Sequence, residues 1–69
     1  MKFNYSKLLG RIKECGYTQE TLAKAIGVNQ GTLSVKLNNK GFFNVKEIGD
    51  ICKLLDVSKS EIGAYFFAE

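Results

Sequence analysis

Histidine is absent from this chain, and only two cysteines are present. Without imidazole, acid–base chemistry would fall to carboxylates, lysines, tyrosines or thiols, and no nucleophile stands beside an evident base. No glycine-rich phosphate loop follows a strand, and strands themselves are not indicated. An enzymatic role is not expected. Cys15 and Cys52 are too few and too widely spaced for a disulfide framework, and no metal-ligand spacing is present. Both fall at apolar positions of predicted helices, which suits reduced core thiols in a cytoplasmic protein. No apolar run approaches the roughly 20 residues that span a bilayer. Met1-Lys2-Phe3 leads into mixed polar sequence rather than a signal peptide. Repeats and low-complexity segments are missing, and neither a cofactor, a small-molecule ligand nor a membrane contact is indicated.

What is present is a single domain of 69 residues, with a small core and marginal stability from burial. The net charge is +3, but it is unevenly spread along the chain. Residues 1–46 carry eight basic and two acidic side chains, whereas residues 47–69 carry two basic and five acidic ones. A polyanion would be approached by the first two-thirds and avoided by the last third.

The chain is organised around residues 18–37, TQETLAKAIGVNQGTLSVKL. Thr18 can cap a helix whose apolar stripe is Leu22, Ala23 and Ile26. Gly27 follows, where a left-handed residue ends a helix at least cost. Val28 plugs the corner, and Asn29 can cap a second helix that runs through Leu33 and Leu37. Between those apolar positions stand Gln30, Gly31, Thr32, Ser34 and Val35, none of them acidic. A helix start of this kind suits a major groove.

These residues resemble the helix-turn-helix of phage repressor and Cro-type DNA-binding domains. The resemblance rests on Gln19, Leu22, Ala23, Ile26, Gly27, Val28, Gln30 and Leu33, and it extends to the whole chain. It implies a five-helix, all-α domain of the lambda/434 repressor type over residues 1–69, with the helix-turn-helix at the second and third helices. Lys36 departs from the family pattern, which is usually apolar there, so Leu37 must take over that packing.

The remaining chain fits this plan. A first helix starts near Asn4 or Ser6 and ends at Cys15, with Tyr5, Leu8, Leu9, Ile12 and Cys15 on its apolar face. Gly10 inside it costs about 1 kcal/mol relative to alanine, which a close helix approach would explain. Asn38 to Asn44 form a loop, in which at least one of Phe42 and Phe43 closes the core. Asn44 and Glu47 make a capping box for a helix with Val45, Ile48, Ile51, Cys52 and Leu55 inward. Ser58 and Glu61 repeat that signature before Ile62 and the run Tyr65-Phe66-Phe67. Three consecutive aromatics cannot all face one small core, so part of the run would form a covering tail or a partner surface.

The resemblance implies sequence-specific binding of double-stranded DNA, as a homodimer on a palindromic operator, by a phage or prophage regulator. Gln19 would touch a phosphate and brace Gln30. Gln30, Thr32 and Val35 would reach base edges, with Ser34 beside them and Gly31 standing where contact residues are common. Asn38, Asn39 and Lys40 would meet phosphates, and Phe66 and Phe67 would lie at the dimer contact. Two other readings stay open: an antitoxin-type regulator, and a module that keeps the fold, binds a protein and no longer binds DNA.

Overall fold

Short-range capping sets the element boundaries in the computed structural model, which describes residues 3–69. The elements are α1 (Ser6–Glu14), α2 (Gln19–Ile26), α3 (Gln30–Leu37), α4 (Val45–Leu55), a 3₁₀ turn (Lys59–Glu61) and α5 (Ile62–Phe66). The five-helix, all-α expectation therefore holds. The Thr18 hydroxyl accepts from the Thr21 N–H at 3.1 Å, and the Thr18 N–H donates to the Thr21 hydroxyl at 2.8 Å. Gly27 closes α2 at φ 77°, and the Val28 N–H turns back to the Ala23 carbonyl at 2.9 Å. The Asn29 side chain then accepts from the Gly31 N–H at 2.7 Å to start α3. Only three residues separate α2 from α3, so the two helices must pack on each other.

The core draws on every helix: Leu8 and Ile12, Leu22 and Ala23, Leu33 and Leu37, Ile51 and Leu55, and Tyr65 and Phe66. Leu37 is buried, as the departure at Lys36 requires. α1 packs on α5, while α2 packs on both α3 and α4. The Arg11 guanidinium fastens α1 to the end of α4 through the Leu55 carbonyl, at 2.9 Å. No helix among the described residues is long and apolar enough to cross a membrane.

Four expectations need correction. Leu9 and Val45 are exposed rather than inward: helix packing uses one stripe of each helix, and both lie outside it. Nothing lies within 4 Å of a Cβ added at Gly10, so no close helix approach accounts for that glycine. The expectation for the loop holds, since Phe43 packs half-buried against the core while Phe42 stands 75% exposed. Phe66, expected at a dimer contact, is 1% exposed inside its own core, because the short α5 turns it under α1 and against Phe43. Phe67 keeps about half its surface open and rests edge-on against Phe3 at 5.7 Å.

Two stability changes follow. Phe66→Ala removes a fully buried ring from a small core and should cost about 3–5 kcal/mol, enough to leave a domain of this size largely unfolded in thermal melts. Gly10→Ala should raise the melting temperature, since the exposed helix interior gains about 0.5–1 kcal/mol from the lost backbone freedom of the unfolded chain.

Candidate recognition face

The exposed side of α3 is the candidate site. The Asn29 cap leaves Gln30, Gly31 and Thr32 open to solvent on its first turn. Gly31 is tightly placed, since a Cβ there would come within 3.1 Å of the Asn29 Oδ1. Ser34 is half-buried, and Val35 presents 44% of its surface. Gln19 is half-buried at the start of α2. A shallow groove between α2 and α3 brings Gln30 and Ser34 beside Glu20 and Lys24, so a carboxylate stands at its rim. Lys24 answers it loosely, 3.5 Å away on the surface.

At the far end of α3 the polar side chains are occupied in holding the backbone. The Asn38 amide donates to the Ser34 carbonyl at 2.8 Å, satisfying a carbonyl of the last turn. Asn39 sits at φ 62°, and its amide grips the Phe3 backbone on both sides. Its Oδ1 accepts from the Phe3 N–H and its Nδ2 donates to the Phe3 carbonyl, each at 2.8 Å. A half-buried amide used in this way has little left for a phosphate. Lys40 remains exposed.

Lys36 runs inward. Its ammonium lies 2.6 Å from both carboxylate oxygens of Glu47, with the two side chains 17% and 10% exposed. Glu47 also accepts from the Asn44 N–H at 2.9 Å, while its own N–H donates to the Asn44 side chain at 2.8 Å. Burial pushes the Glu47 carboxyl up, but the bonds from Lys36 and Asn44 and the charges of Lys36 and Lys46 outweigh it. Its pKa is held below the ordinary carboxylate value. Nothing in the residue pattern pointed to this pair, which joins positions eleven apart across a loop.

The basic excess of residues 1–46 is therefore not gathered on α3. Lys36 is neutralised inside, and Lys46 pairs with Asp50 at 3.1 Å. Lys7 lies over the Tyr65 ring at 4.9 Å. The charges of Lys7 and Arg11 are felt at Glu61, whose carboxyl is lowered first by its hydrogen bonds with Ser58. What gathers beside α3 is apolar surface. Gly41 packs near Val35 and the Lys36 stem, and the Lys40 N–H returns to the Val35 carbonyl at 2.9 Å. Along this stretch Val35, Phe42 and Val45 are all exposed, the last two at 75% and 87%.

The chain matches the family described as "Protein of unknown function (DUF739)" over residues 1–69, and it belongs to that family. It is similar to the solution structure of the modulator of repression (MOR) of the temperate bacteriophage TP901-1 from Lactococcus lactis. The identity is 39%, the TM-score 0.81, and the match covers 97% of this chain and 90% of the other. No curated protein matches.

The buried pair gives stability a pH dependence. Because the folded-state pKa of Glu47 is lowered, its contribution is complete above the unfolded carboxylate value and is lost as pH falls through the folded one. Glu47→Gln should cost about 3 kcal/mol near neutral pH by stranding Lys36. Its melting temperature should also fall less than that of the parent chain as the buffer is taken into the acid range.

Proposed function

We propose that this DUF739 chain is a phage regulatory protein that modulates repression by docking a repressor protein on the corner formed by α3, the 38–44 loop and the start of α4. The observation that carries this reading is the exposure of Val35, Phe42 and Val45 on α3, the loop after it and the start of α4, where the lysine of α3 is withdrawn into an ion pair. A surface built for phosphates needs cations and hydrogen-bond donors. Here the nearest asparagines hold backbone and a carboxylate rims the groove. Exposed phenylalanine and valine gain instead from burial against apolar side chains, as in the centre of a protein interface. The name of the similar phage protein, a modulator of repression, supports the same reading.

Direct reading of duplex DNA is the second possibility, favoured by one feature. Gln30 and Thr32 stand exposed on the capped first turn of α3, with Lys40 at the loop beyond it. In that case Gln30 would pair bidentately with adenine, a contact worth about 1–3 kcal/mol of discrimination. A second copy of the chain, meeting at Phe67, would supply the other half-site on a palindromic operator.

Isotope-labelled chain titrated separately with a phage repressor protein and with its operator duplex distinguishes these readings. The repressor should shift the amide signals of Val35, Phe42 and Val45, and Phe42→Ala should weaken that complex about tenfold or more. Duplex alone should bind weakly and be released by moderate salt. Tight duplex binding that moves Gln30 and Thr32, with no response to the repressor, would establish the second reading. Gln30→Ala would then relax the preference at one base pair per half-site.

A further inference from the structure

The Asn39 side chain is turned to the backbone of Phe3. It holds a strap formed by Phe3 and Asn4. The strap is fastened at three places. The Asn39 amide bonds both the N–H and the carbonyl of Phe3, at 2.8 Å each. The Asn4 N–H bonds the Ala68 carbonyl at 2.6 Å. The Phe3 ring meets Phe67 edge-on at 5.7 Å and Tyr5 at 6.3 Å. Tyr5 in turn stands against Phe43, and Phe43 against Phe66, at 5.7 and 5.5 Å, so a ring series runs from the 67–68 segment into the loop.

Residues 67 and 68 and the 38–44 loop have no direct hydrogen bond to each other among the described residues; the strap bonds to both, alongside the ring contact of Phe43 with Phe66. The loop carries Lys40 and Phe42; besides the Asn39 grip it is held by the Lys40 N–H bond to the Val35 carbonyl at 2.9 Å, by the Asn38 and Asn39 N–H bonds to the Ser34 and Lys36 carbonyls, and by Phe43 against the core. Lys40 and Phe42 stand exposed between these anchors, so loss of the Asn39 grip leaves the middle of the loop free to open locally.

We infer that the Phe3–Asn4 strap is a latch by which the Phe67–Ala68 segment sets the position of the 38–44 loop, and with it the docking corner. A change at Phe67, such as contact with another molecule, reaches Phe42 and Lys40 through Phe3 and Asn39. The part this plays in docking rests on the reading proposed above, whereas the latch itself can be tested on the free chain.

Amide hydrogen exchange on the whole chain provides that test. Asn39→Gly keeps the left-handed backbone and removes the grip, so it separates the latch from backbone strain. It should speed exchange about tenfold at Asn4 and Lys40, while Val28 in the α2–α3 turn and Ile51 in the core stay unchanged. Asn39→Asp keeps the acceptor for the Phe3 N–H and loses the donor, and should fall between the two. The decisive variant is Phe67→Ala, which leaves the Asn39 side chain and every loop residue unchanged. Faster exchange at Lys40 in Phe67→Ala supports the latch. It is overturned if Phe67→Ala speeds Asn4 alone, or if Ile51 accelerates as much as Lys40, which would make the effect one of global stability.

Discussion

The pair of Lys36 with Glu47 is the interaction on which the shape of the candidate face depends. One carboxylate holds the ammonium of α3, receives the Asn44 N–H and completes the cap of α4. Two largely buried charges are not a cheap source of stability, because desolvation offsets most of their attraction. Their effect is positional. They fix how far α3 lies from the start of α4 and so close the 38–44 loop over a defined span. They also remove a cation from the outer surface of α3. A leucine at position 36 would pack as well, but it would leave Glu47 without its partner.

Local chemistry was legible in the residues, and long-range chemistry was not. Thr18, Gly27, Asn29 and Asn44 announced their roles because capping involves neighbours two to four residues away. The inward stripes of α2, α3 and α4 were legible for the same reason, apart from Val45 at the first position of its helix. Lys36, Asn39 and Phe66 were misread or left open because their partners lie far along the chain: Glu47, Phe3 and the core beneath α1. The charge asymmetry is the clearest case. Residues 1–46 are basic in sequence, but folding sets Lys7 over the Tyr65 ring, pairs Lys46 with Asp50 and buries Lys36 on Glu47. Charge counted along a chain says little about charge over a surface.

The paired helices α2 and α3 can therefore serve different partners without a change of backbone. What distinguishes a face for phosphates from a face for a protein is a handful of side chains at the end of α3 and in the loop after it. Here those side chains are a withdrawn lysine, two asparagines turned to the backbone, and three exposed apolar groups. The start of α3 keeps the polar character that a groove reader would need, so the two ends of one helix differ in chemistry.

The contact of α1 with α5 has a kinetic meaning as well. The turn between α2 and α3 brings together residues close in sequence, so that pair can form early and at small entropic cost. α1 and α5 stand at opposite ends of the chain order, and their meeting closes a loop of nearly the whole domain. Phe66 is the residue that rewards this closure. The half containing α2, α3 and α4 would then be organised before the two outer helices dock, and the outer helices would be the first to part. A molecule that seized the chain at Phe67 would thus act on the last-formed and most readily released part of the fold.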